Sequence, residues 1–133
     1  MTNKTIYAIS DSIGETAESV VRATASQYDK ERFDIVRVPY VETKKQIDDV
    51  LRDAHPGSDV ICHTIVSPEL RDYLHGQAES LGLETVDIMG PVLDAVGTVA
   101  TTKPRMTAGM VHKLDQEYFK KVEAIEFAVK YDD

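Results

Sequence analysis

Immediately after the apolar run Ile6-Tyr7-Ala8, the chain reads Ile9-Ser10-Asp11-Ser12-Ile13-Gly14-Glu15-Thr16. Three hydroxyls, two carboxylates and a glycine are packed into one stretch. Two kinds of chemistry fit it. Asp11 or Ser12 can cap the helix that follows, with Gly14 serving only the turn. Alternatively, the backbone N–H groups from Gly14 to Ala17 face outward, where the helix dipole favours an anion. Gly14 then lets the backbone approach the ligand, and Ser12 and Thr16 add hydroxyl donors. Glu15 opposes an anion unless it points away. Cap and cradle both remain open from the residues alone.

A second candidate is the loop from Thr101 to Gly109, where Lys103 and Arg105 stand near Thr101 and Thr102. These cations could meet a phosphate or an acidic partner, or form an ordinary solvated loop. The histidines are His55, His63, His75 and His112. No pair has the spacing of zinc ligands, so no metal site is expected. His63, inside an apolar stretch beside Cys62, reads as a satisfied core histidine before it reads as a base. Cys62 reads as a small buried side chain, since no activating charge is evident. The spaced glycines, lysine and hydroxyl of a Walker A loop occur nowhere, nor does G-x-G-x-x-G. No nucleotide-binding residue is therefore assigned.

The elements that position these groups follow from periodicity. Thr5 to Ser10 reads as a strand buried on both faces. Gly14 to about Tyr28 reads as a helix with a stripe at Ala17, Val20, Val21, Thr24 and Tyr28. Phe33 to Val38 alternates as a second strand. Thr43-Lys44-Lys45-Gln46 is a capping box, and Ile47, Val50, Leu51 and Ala54 give its helix one apolar face. Asp59 to Val66 is a third strand. Ser67-Pro68-Glu69 supplies a hydroxyl N-cap, a first-turn proline and an acid. Its helix buries Leu70, Leu74, Ala78 and Leu81, and Gly82 suits its C-terminal cap. Glu84 to Met89 is a fourth strand that Gly90-Pro91 breaks, with a short helix over Val92 to Val99. Asp115 to Lys130 is the last helix, with Tyr118, Val122, Ile125 and Val129 on one face, flanked by Phe119 and Ala128. Tyr118, Phe119 and Phe127 read as packing residues rather than a stacking platform.

Strands alternating with helices require crossover connections, which give a parallel sheet. The expected fold is one three-layer α/β domain over residues 1–133, Rossmann-like, with about four strands and helices on both faces. Ligands in such sheets gather beyond the carboxyl ends of the strands. There the sequence places Asp11 to Thr16, Pro39 to Thr43, Ser67-Pro68 and Met89 to Pro91.

Composition narrows the class. The 133 residues are 42% hydrophobic and 29% charged, enough for a core without staples. One cysteine excludes a disulfide framework within the chain and suits a reducing cytoplasm. The formal net charge of -8 argues against a broad nucleic-acid surface. No apolar run approaches a membrane span, and no signal peptide is expected.

Two stretches go beyond α/β grammar: Ser10-Asp11-Ser12-Ile13-Gly14-Glu15-Thr16-Ala17-Glu18, and the segment from Tyr118-Phe119-Lys120-Lys121 to Lys130-Tyr131-Asp132-Asp133. With Met89-Gly90-Pro91 and Leu114-Asp115, they resemble the pyruvate, phosphate dikinase regulatory protein family and its phosphoenolpyruvate synthase counterparts. The resemblance implies a bifunctional enzyme. Such an enzyme phosphorylates a threonine of its target with ADP as donor. It also removes that phosphate by phosphorolysis, consuming inorganic phosphate and releasing pyrophosphate. It further implies about twice this length, with a strand and a P-loop soon after the Asp-Asp pair. On that view residues 1–133 are the N-terminal half, and no kinase activity is expected of them alone. Ser12, Gly14 and Thr16 become candidate phosphate or substrate contacts, with Lys103 and Arg105 behind them. Asp11 and Glu15 are candidate bases only. The partner is the dikinase or the synthase, together with the P-loop half. An anion-binding or target-docking module, or a scaffold that forms a homo-oligomer, are the alternative roles.

Overall fold

The computed structural model describes residues 4–108. In chain order the elements are β1 (Lys4–Ile9), α1 (Glu15–Ala25), β2 (Phe33–Val38), α2 (Lys44–Asp53), β3 (Val60–His63), α3 (Pro68–Ser80), β4 (Glu84–Asp87) and α4 (Gly90–Gly97). The strands form one parallel sheet in the order β2-β1-β3-β4. The expected three-layer α/β architecture is present. The chain passes from β2 back over β1 to β3, so the order reverses between β1 and β3. That reversal opens a crevice at their carboxyl ends.

Strand alternation divides the core. Ile6 and Ala8 point to one face and pack with Ala17 and Val21 of α1. Ile9 and Ile61 point to the other, where Ile47 and Leu51 of α2 meet Leu74 and Ala78 of α3. β1 is less enclosed than its composition suggests. Tyr7 is half-buried, because its hydroxyl reaches out to the Asp53 carbonyl, 3.2 Å away.

The local signals mostly act as their chemistry dictates. Thr43 accepts from the Gln46 N–H at 3.2 Å, and Gln46 Oε1 accepts from the Thr43 N–H at 3.0 Å. Thr43→Ala removes the acceptor of the Gln46 N–H but leaves the Thr43 N–H to Gln46 Oε1 bond, and is expected to cost about 1 kcal/mol. A urea unfolding midpoint measures it directly. Ser67 caps α3, with Pro68 in its first turn. Gly82, at φ 72°, takes the left-handed position that ends α3.

Several boundaries differ from expectation, four of them for a visible reason. α1 ends at Ala25, and residues 26–28 tighten into i+3 bonds, Gln27 N–H to Thr24 and Tyr28 N–H to Ala25. β3 ends at His63: the Thr64 N–H makes the last ladder bond, to the Ile9 carbonyl, and the Val66 N–H turns to Asp11 instead. β4 ends at Asp87, whose carboxylate turns onto the Gly90 N–H. Gly90-Pro91 opens α4 instead of preceding it, since proline suits a first turn. The helix predicted over Asp115 to Lys130, and His112, lie outside the described residues.

Candidate functional site

The stretch from Ser10 to Thr16 forms the β1–α1 turn at the switch-point crevice. The neighbouring segment after β2 holds it from one side. The Ser10 N–H donates to Val38, the Val41 N–H to Ser10, and the Tyr40 N–H to Ser12 at 2.8 Å. Tyr40 takes a left-handed φ of 57° to make this approach. The Ser12 N–H donates to its neighbour Ser10 Oγ at 2.9 Å. On the other side, Asp11 Oδ2 accepts from the Val66 N–H at 2.9 Å, joining the turn to the β3–α3 loop.

Neither Asp11 nor Ser12 caps α1, which corrects the first reading of this turn. The N-cap is Gly14 itself, at φ 89°, with no side-chain cap bond. Asp11 is turned away by its bond to Val66, and α1 takes no cap bond from the Ser12 hydroxyl. The first-turn N–H groups of Glu15, Thr16 and Ala17 are those that helix geometry leaves over. The Glu18 N–H is already bonded to the Gly14 carbonyl at 3.0 Å. Glu15 and Thr16 are exposed, Asp11 and Ser12 half-buried, and Gly14 buried.

A cation missed in the sequence stands here. Arg37, the fifth residue of β2, donates through Nε to the Ile13 carbonyl at 2.7 Å, and its terminal nitrogen bonds the same oxygen. A Cβ on Gly14 would lie 3.2 Å from Arg37 Nε, so only glycine fits both the dihedral and the approach. Arg37 pairs with Ala8 in the sheet register. Nothing in the string Phe33-Asp34-Ile35-Val36-Arg37-Val38 signals its role. Only the adjacency of β1 and β2 does.

Lys103 and Arg105 reach the same edge of the sheet. With Thr102 and Thr107 they border a cavity of about 450 Å³ whose apolar lining includes Val66, Met89 and Leu93. Val66 is the residue that Asp11 holds. The β3–α3 loop thus touches both sequence candidates, through Val66.

A third group was hidden by its spacing. His63 ends β3, Asp87 ends β4, and the register pairs them. His75 of α3 approaches from above, with its Nε2 2.7 Å from His63 Nε2. Side-chain ligand atoms of the three residues lie within 4.8 Å of one another. Hydrogen bonding fixes the state of His63. Its Nδ1 accepts from the Ile65 N–H at 3.1 Å, so the neutral ring carries its proton on Nε2 and donates to His75. A metal would have to displace that proton, and Nδ1 has no place to receive it. The geometry is that of two neutral imidazoles in series. His63 is fully buried. Burial pushes it down to about 4, with Asp87 opposing and His75 and Arg71 adding to the depression. It is a satisfied core histidine, as expected, with a partner that the sequence did not show. Cys62 is half-buried, and burial raises its thiol, which suits an unreactive side chain.

Among the described residues, no helix is long and apolar enough to cross a membrane. The model of the family described as kinase/pyrophosphorylase matches residues 6–133. The chain belongs to that family. Three relatives, each described as a pyruvate, phosphate dikinase regulatory protein, align with it almost throughout. The one from Oceanobacillus iheyensis is 54% identical over 132 residues, covering 99% of this chain and 49% of the relative. That from Alkaliphilus metalliredigens is 50% identical, covering 98% and 47%. That from Shouchella clausii is 48% identical, covering 100% and 51%. The chain thus spans about half the length of these relatives. The kinase/pyrophosphorylase match takes in the Ser10–Thr16 turn, Arg37, the His63–His75–Asp87 group and the Lys103–Arg105 loop.

Proposed function

We propose that this chain is the phosphoryl-handling N-terminal half of a bifunctional regulator of pyruvate, phosphate dikinase. The whole protein would transfer a phosphoryl group from ADP to a threonine of the dikinase. In the reverse regulation, inorganic phosphate attacks the phosphothreonine phosphorus. The threonine oxygen leaves with a proton, and pyrophosphate is released. The relatives' names favour the dikinase over the synthase as partner. ADP binding belongs to a half that supplies a phosphate-binding lysine loop, since no Walker A string occurs in these 133 residues.

The observation that carries the reading is the uncapped start of α1. Gly14 occupies the N-cap in a left-handed conformation, which leaves backbone donors facing the crevice. Lys103 and Arg105 border a second cavity lined by Val66, whose N–H Asp11 holds, and they add positive charge at this edge of the sheet. Ser12, Gly14 and Thr16 are the assigned anion contacts. Asp11 serves as a latch, because one of its oxygens is committed to Val66.

Titrating phosphate and pyrophosphate into the isotopically labelled chain tests this. Amide resonances of Gly14, Glu15 and Thr16 are expected to shift saturably, and more strongly with pyrophosphate. Unmoved resonances at these positions would remove the cradle. Incubation of this chain alone with ADP and the dikinase is expected to give no phosphothreonine.

A further inference from the structure

The cavity of about 450 Å³ at the carboxyl end of the sheet runs against the composition of the chain. The chain carries 23 acidic and 15 basic residues, yet no carboxylate of a described residue borders this cavity, while the cations Lys103 and Arg105 do. Both cations are exposed, and neither forms an ion pair with another described residue. Beside them the lining is apolar, with Val66 buried and Met89, Leu93 and Met106 half-buried. Met106 stands at φ 55°, a left-handed conformation that residues other than glycine rarely adopt. The lining sorts the ligands. Inorganic phosphate would meet the cations and leave the apolar wall unused. A nucleotide base would find no aromatic ring to stack on among the described lining residues. An apolar side chain with an anionic group next to it matches both parts. The volume lies within the roughly 300–1,000 Å³ of ligand sites, so it takes a short segment rather than a broad surface.

We propose that this cavity docks a segment of the target protein in which an apolar side chain adjoins a carboxylate or phosphoryl group. The apolar side chain packs against Val66, Met89 and Leu93, and the anionic group pairs with Lys103 and Arg105. Position selects a protein segment over a free small molecule. The Val66 N–H donates to Asp11 Oδ2 at 2.9 Å, so the cavity wall is one hydrogen bond from the Ser10–Thr16 turn. A chain seated here is brought to the edge of the sheet where the phosphoanion is held. Complementary charges at such a contact fix orientation and raise the encounter rate. The inference rests on the proposed phosphoryl transfer for the identity of the target, and adds how that target is held.

Two of the four methionines border the cavity, so methyl-labelled methionine in the 133-residue protein reads it by NMR without any substitution. Addition of the whole dikinase is expected to shift or broaden the Met89 and Met106 signals. Lys103→Ser combined with Arg105→Ser should weaken binding at least about tenfold. Lys45→Ser, at an exposed position outside the cavity, should leave it unchanged. Met89 and Met106 signals that stay unmoved overturn the docking site; if the Gly14 amide still answers pyrophosphate, the phosphoanion site survives that result. Methionines that answer the dikinase while Gly14 ignores pyrophosphate support the docking site and remove the phosphoanion site instead. Equal binding by the double variant and the unsubstituted chain overturns the proposal. So do shifts reproduced by inorganic phosphate alone, which mark an anion subsite, or by raising the chain's own concentration, which mark a second copy. Dikinase with and without its phosphothreonine separates the two sources of charge: a response only to the phosphorylated form assigns a phosphoryl group, and equal responses assign a carboxylate, each in support of the site.

Discussion

Acidification from pH 7 to pH 4 is expected to remove on the order of 3 kcal/mol of folding stability through His63 alone. The sign follows from the direction of its shift. His63 titrates near 4 in the folded chain, below the ordinary value of 6.5. As pH falls below 6.5, the unfolded chain takes up a proton that the folded chain refuses. The contribution is therefore intact above 6.5, declines between 6.5 and 4, and levels off below 4. Burial is the main cause, and the neighbours are Asp87, His75 and Arg71. Geometry adds a second obstacle, since Nδ1 is already occupied by the Ile65 N–H. Asp59 loses its contribution only at lower pH. Burial would raise its carboxyl, but N–H groups of His55 and Thr5 outweigh that and lower it. Urea midpoints measured across this range provide the check. His63→Gln can still accept from Ile65 and donate to His75, and its pH slope between 6.5 and 4 should be much flatter. An unchanged slope in that variant would assign the dependence elsewhere.

Gly90→Ala is expected to destabilise the fold by about 2 kcal/mol, although alanine is the better helix former. A Cβ at Gly90 would overlap Asp87 Oδ2 outright and lie 2.7 Å from the carboxyl carbon. The Asp87 carboxylate would have to leave the Gly90 N–H, which it holds at 2.7 Å. It would also be pushed from its place beside His63 and His75. A double-mutant cycle isolates this cause. In an Asp87→Ala background the collision is gone, and Gly90→Ala should become neutral or slightly stabilising through helix propensity. If Gly90→Ala costs the same in both backgrounds, close approach to Asp87 is not the reason for the glycine. In the sequence, Met89-Gly90-Pro91 stood out as a strand break and a family motif, with no reason visible for the glycine. The structure supplies its physical basis: the end of β4 folds its own carboxylate onto the first turn of α4.

Much of the architecture was determined by the sequence itself. The alternation of Phe33 to Val38, the Thr43–Gln46 box and the Ser67-Pro68 cap are local signals, and local chemistry settles them within a few residues. The crossover rule then makes the sheet parallel and sends the turn after β1 to the ligand-bearing edge. The family resemblance was equally legible, because it resides in contiguous residues. What the tertiary structure decided involves partners far apart in the chain. Whether Asp11 caps α1 depended on Val66, 55 residues away, which takes its carboxylate instead. Arg37 reaches Ile13 only because β2 lies beside β1. His63, His75 and Asp87 have no meaningful spacing in sequence. They meet because two strands end in register and a helix crosses above them. Sequence patterns record which face a residue presents, since that follows from a local period. They do not record which neighbour occupies that face, and the protonation of His63 and the uncapped start of α1 both depend on that neighbour.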